Sequence, residues 1–120
     1  MTKTEINRET LRAALAEAVE ERTGDFMYPD AWKQNGEEWG RCLYFVDGVG
    51  PACIFGVALE KMGYPAETLP YTQGIREILP ALGVTDVDLI LAANSAQETQ
   101  DGGFPWSMAL ADFDKSLAEA

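Results

Sequence analysis

The chain has 120 residues, 47% of them hydrophobic and 24% charged, with 9 basic residues, 20 acidic residues and no histidine. This is enough for one domain with a core of its own, and too apolar for disorder at this charge. The net charge of −11 sets the surface against nucleic-acid backbones and anionic membranes, and the missing imidazole removes Ser-His-Asp and Cys-His catalysis and a Cys2His2 zinc site.

Residues Thr4 to Arg22 carry Leu11, Ala14, Leu15, Ala18 and Val19 at helical spacing, which predicts an amphipathic helix stopped by Gly24. Asp25 to Gly40 is punctuated by Pro29, Asn35-Gly36 and Gly40 and is rich in rings. An ordered loop is expected there, with at most one helical turn at Pro29–Gln34. Tyr28, Trp32 and Trp39, rimmed by Glu37 and Glu38, are the candidate interaction surface; packing of the same rings on the core is the alternative.

Arg41 to Val46 reads as a strand, and Asp47-Gly48 as a two-residue hairpin turn that sets Val46 opposite Val49 and Phe45 opposite Gly50. Pro51 suits the first turn of a helix. That helix is expected from Pro51 or Ala52 to Met62, with Ile54, Val57, Ala58 and Met62 buried and Gly63 closing it. Gly56 in an exposed helix interior costs about 1 kcal/mol relative to alanine, so close packing against the hairpin or another helix is expected to explain it.

Tyr64 to Gln73, with Pro65 and Pro70, reads as a loop. Gly74 to Leu82 reads as a short helix with Ile75, Ile78, Leu79 and Leu82 on one side and Gly83 at its end. Thr85 is the expected cap of a fourth helix, with Asp88 three residues on, running to about Gln100 and stopped by Asp101-Gly102-Gly103. Pro105 starts the last helix, whose stripe is Trp106, Ala109, Leu110, Phe113 and Leu117. The expected fold class is therefore α+β: a single compact domain over 1–120, mostly α-helical, with about five helices around one small β-hairpin.

Cys42 and Cys53 admit three readings: buried packing thiols, a disulfide across the hairpin, or a reactive thiol at Cys53 near a helix N-terminus. The glycines around Asp47 match neither phosphate-binding spacing. Asn94, Gln97 and Asp101 share one helix face; with Tyr44 and Trp106 they form a candidate pocket for a small polar ligand, or else cap the loop after the helix. No carboxylate spacing is diagnostic of acid–base catalysis, and no metal site or cofactor is implied. From Asp86 to Ala120 seven acids stand against Lys115 alone. This is either a generally acidic, soluble surface or a face that meets a basic partner or mimics nucleic acid.

Two segments carry a resemblance. CLYFVDGVGPACIFGVALEKMGYP contains Cys53, Ile54, Gly56 and Leu59 in a Cys-[IV]-x-G-x-x-L helix start, and AANSAQETQDGGFPWSMAL contains Ala93, Gln97, Asp101, Gly103, Trp106, Ala109 and Leu110 at a matching spacing. Together, over about half the chain, they resemble small proteins common in actinobacteria and their bacteriophages. The resemblance implies an accessory protein and assigns no catalytic residues. Residues 25–40 lie outside it.

The functional expectation is a non-enzymatic acidic interaction protein that binds and modulates a host or phage protein, without direct nucleic-acid or membrane binding. A nucleotide-type small-molecule binder is the alternative, and a Cys53-dependent enzyme the third reading. The polar opening residues predict a cytoplasmic location. The sequence leaves the oligomeric state open.

Overall fold

The computed structural model describes residues 3–22, 44–46, 50–51, 53–69 and 73–120. The architecture is all-helical, which corrects the α+β expectation. Among the described residues there are five α-helices: α1 (Arg8–Arg22), α2 (Ile54–Lys61), α3 (Ile75–Ala81), α4 (Val87–Asp101) and α5 (Trp106–Ala118), with one 3-10 turn at Ala66–Thr68. The extended pairing described is confined to Phe45–Val46 against Gly50–Pro51. Two residues a side make no sheet layer on which helices could pack. Pro51 lacks an N–H donor, and Cys53, two residues on, is already the N-cap of α2.

The register also differs from expectation. Val46 pairs with Gly50 and Phe45 with Pro51, so three residues rather than two separate the innermost pair. Pro51 belongs to this ladder, and α2 starts three residues after it.

α1 starts later than the periodicity suggests because Asn7 caps it. The Thr10 N–H donates to Asn7 Oδ1 and the Asn7 N–H to Thr10 Oγ1, both at 2.9 Å, a reciprocal arrangement that satisfies two otherwise orphaned donors. Leu11, Ala14, Leu15 and Ala18 are buried as expected, with Val19 packed at the edge. In α2 the expected stripe is buried, but so are Phe55, Gly56 and Leu59. A helix segment apolar on every side, as Ile54–Leu59 is, sits at the centre of a fold; α2 packs chiefly on α1 and touches α4, and only Glu60 and Lys61 at its end are exposed.

Gly56 shows why α2 can be enclosed. A Cβ built there would lie 2.2 Å from the Tyr44 carbonyl oxygen, so the close approach expected from the sequence is made to the backbone of Tyr44. At the other end Gly63 has φ 97°, the left-handed conformation that closes the helix.

α4 and α5 form an antiparallel pair, the most extensive helix contact of the fold. The turn depends on Gly103 at φ 90°. The α5 stripe is as expected: Trp106, Ala109 and Phe113 are buried, with Leu110 and Leu117 packed against the core. Small residues on α4 (Ala92, Ala93, Ala96) are fully buried, which lets its neighbours approach closely.

Charged groups on α1 hold the bundle from outside. Arg8 grips Asp86 through Nε at 2.7 Å and Nη2 at 3.1 Å, and Arg12 grips Asp114 at 3.2 and 3.0 Å. Lys61 pairs with Glu21. Asp86, not Thr85, caps α4: its Oδ1 accepts the Leu89 N–H at 3.2 Å. The hydrogen bond from Arg8 is the main cause holding the Asp86 carboxyl below the usual carboxylate range, with the Leu89 N–H adding to it. A depressed folded pKa means that the contribution is complete above the ordinary carboxylate pKa and is lost as pH falls through the folded one. Arg8→Ala is expected to raise the Asp86 pKa toward the ordinary carboxylate range, followed by NMR titration of the side-chain carboxyl. An unchanged titration would show that the Arg8 grip does not persist in solution.

Candidate interaction groove between α4 and α5

The polar residues singled out in the sequence form a connected set. Tyr44 is buried, and its hydroxyl donates to the Gln73 carbonyl at 2.8 Å and accepts from Gln97 Nε2 at 3.0 Å. Gln97 Oε1 accepts the Ile75 N–H at 2.8 Å. One turn on, Gln100 Oε1 accepts the Ile54 N–H at 2.6 Å and Gln100 Nε2 donates to Asp101 Oδ1 at 3.1 Å. Ile75 and Ile54 are the first residues of α3 and α2, where backbone donors have no partner within their own helix. Two glutamines of α4 therefore fasten the starts of two other helices.

Trp106 is fully buried, with the Arg22 guanidinium 5.5 Å from its ring centre. Asn94 and Asp101 are half-buried. The structure thus brings Tyr44 and Gln97 into contact, while the larger grooves are lined by other residues. Tyr28, Trp32, Trp39, Glu37 and Glu38 lie outside the described residues.

Cys53 is fully buried and disulfide-bonded, and the other cysteine of the sequence is Cys42. The Cys53 sulfur also accepts the Gly56 N–H at 3.3 Å, capping α2. A buried disulfide sulfur is not a thiolate nucleophile. Ile54, Gly56, Leu59, Ala93, Gln97, Trp106 and Ala109 of the two resembling segments are likewise buried, so these motif positions serve packing and capping.

A different face stands out. All large apolar side chains that are exposed among the described residues lie on α4, the turn after it, or α5: Val87 (63% exposed), Leu91 (46%), Phe104 (50%) and Met108 (44%). Single exposed apolar residues are ordinary, whereas a cluster rimmed by polar groups marks a contact surface. Leu91 and Phe104 line an open groove of about 640 Å³ between α4 and α5. Val87 stands one turn before Leu91, on the side of α4 away from buried Leu89, Ala92, Ala93 and Ala96.

The rim of this groove is acidic. Asp88, Glu98, Asp112 and Glu119 line it together with one cation, Lys115, a net −3. Arg8 reaches Asp88 at 3.6 Å from one end. Within the groove the Thr99 hydroxyl donates to the Asp112 carboxylate, tying α4 to α5. The acidic excess after Asp86 is legible in the sequence; the exposure of Leu91, Phe104 and Met108 is not. The available signal was that α4 carries apolar residues on two faces, Leu89/Ala92/Ala96 and Val87/Leu91.

Among the described residues no three His, Cys, Asp or Glu side chains converge as metal ligands, and no helix is long and apolar enough to cross a membrane. Comparisons of the chain with protein-family models, with curated proteins and with solved structures each return no match.

Proposed function

We propose that this chain is a non-enzymatic interaction protein that engages another protein through the groove between α4 and α5. The observation that carries this reading is the coincidence, on one pair of helices, of the exposed large apolar side chains and an acidic rim. Apolar centre and polar rim is the anatomy of a protein-binding patch. The role of accessory modulator of a host protein, drawn from the resemblance to actinobacterial and phage proteins, belongs to this proposal. The disulfide at Cys53 favours an oxidising compartment over the cytoplasm.

A nucleotide-type ligand at Tyr44, Asn94, Gln97, Asp101 and Trp106 is the weaker reading. It would have to displace the bonds that fasten α2 and α3, and in the α4–α5 groove its phosphates would meet four carboxylates.

A photo-crosslinking residue at Ser95, inside the groove, is expected to label one specific protein in a lysate of the source cells. The same group at Glu17, on the exposed side of α1, is expected to label nothing specific. Labelling should vanish in the Leu91→Ser/Phe104→Ser variant, whose half-exposed side chains are expected to cost about 1 kcal/mol of stability per site and leave the fold in place. Equal labelling from Ser95 and Glu17, or labelling indifferent to Leu91 and Phe104, would remove the groove as the binding surface.

A further inference from the structure

We infer that the groove between α4 and α5 is built to receive a cationic amphipathic helix from another protein. This rests on the reading of the groove as a protein-docking surface, and names its occupant.

The sign of the occupant follows from charge. Four carboxylates and one ammonium line the groove, and even with Arg8 reaching Asp88 from one end the charge facing a partner is negative, so a partner that leaves it uncompensated meets repulsion on approach and desolvation on docking. The longest segment outside the described residues does not match that charge. Residues 23–43 carry Asp25, Asp30, Glu37 and Glu38 against Lys33 and Arg41, the same sign as the groove. A second copy, at −11, is repelled still more. Nucleic acids and anionic lipid surfaces are excluded on the same ground.

The apolar side chains set the second requirement. Leu91 and Phe104 face the groove at about half exposure, and covering them is favourable at about 25 cal/mol per Å² of apolar surface removed from water. A purely polar polycation leaves them wet. The occupant therefore carries apolar side chains on one face and lysine or arginine beside them.

Its backbone is helical for a geometric reason. Both walls are α-helices whose backbone N–H and C=O groups are paired within themselves, so the groove offers no sheet edge to which a strand could add. Ridges of side chains on two helices receive a third helix, with anchors every three or four residues. α4 has 15 residues and α5 has 13, giving a track about 20 Å long.

The test uses the full chain and three synthetic peptides of about 14 residues, matched to that track. One carries a leucine stripe at i, i+3, i+4 and i+7 flanked by lysines. A second carries the same stripe flanked by glutamates. The third has the composition of the first with the stripe scrambled. Fluorescence anisotropy is expected to show the first peptide binding at least about tenfold more tightly than either control. Its affinity should fall as salt is raised from about 0.1 M to about 1 M, where the screening length shrinks from about 10 to about 3 Å. Leu91→Ser/Phe104→Ser and, separately, Glu98→Lys/Glu119→Lys are each expected to weaken it about tenfold, with circular dichroism unchanged.

Equal binding of the glutamate peptide would overturn the cationic assignment, and equal binding of the scrambled peptide the amphipathic helix. If no peptide binds while the Ser95 crosslink still depends on Leu91 and Phe104, the groove docks a protein of other chemistry. If the crosslink fails as well, the docking reading itself falls.

Discussion

Replacing Gly56 with alanine is expected to destabilise the protein by about 3 kcal/mol, at the upper end of the usual range for inserting a methyl group into a packed interior. In an isolated helix the same change is favourable by about 1 kcal/mol, so the packing term has to reverse the sign and exceed the propensity. The distances explain the reversal. The added carbon would sit 2.2 Å from the carbonyl oxygen of Tyr44, 3.0 Å from its carbonyl carbon and 3.1 Å from its Cα. All three are backbone atoms, which no rotamer change can move aside. α2 is buried from Ile54 to Leu59, so sliding away from Tyr44 would disturb α1 and α4. Gly83→Ala is the matched control. It has φ 97° with nothing within 4 Å, so it carries conformational strain alone, about 1–2 kcal/mol. Urea denaturation of the two variants should separate them clearly. A Gly56→Ala protein as stable as the parent would mean that α2 and Tyr44 are not in contact.

The second large effect is expected at the glutamines of α4. Gln100→Leu keeps similar bulk but leaves the Ile54 N–H without its acceptor. Gln97→Leu does the same to the Ile75 N–H and removes the donor to the Tyr44 hydroxyl. A buried donor stripped of its partner costs about 1–3 kcal/mol, so about 2 kcal/mol is expected for Gln100→Leu and rather more for Gln97→Leu. The two act on different helices, so together they approach the whole stability of a small domain, about 5–15 kcal/mol. Chemical denaturation of the single and double variants provides the measurement. If both single variants match the parent, the glutamines are not holding the helix starts.

These two residue types also show what the sequence made legible. Helix stripes were readable because burial imposes a period: Leu11, Ala14, Leu15 and Ala18 in α1, and Trp106, Ala109 and Phe113 in α5, are buried where the spacing placed them. Gly56 was readable as an anomaly, since a glycine inside a helix needs a reason. What the sequence could not carry was the partner of a polar side chain. Gln97 and Gln100 act on backbone donors 22 and 46 residues away, and nothing local to an amide announces that reach. The cap of α4 shows the same limit: Thr85 and Asp86 are both good caps by residue type, and only Asp86 is also gripped by Arg8, 78 residues away in the chain. The hairpin is shorter than its turn signal suggests. Asp47-Gly48 is a strong two-residue turn signal, but among the described residues the pairing runs to two residues a side, with Pro51 and the start of α2 close behind it. The groove escaped because a search for stripes finds the face that is buried and passes over a second apolar face that is not.

The capping of two helices by one has a consequence for motion. Both the Ile54 and the Ile75 N–H groups are held by side chains of α4. Unwinding of α4 near Gln97 and Gln100 would free the two together, so their amide hydrogen exchange is expected to report a shared opening. The wall of the groove is thereby the lock of the interior: a ligand that steadies α4 from outside would slow exchange at two amides it never touches.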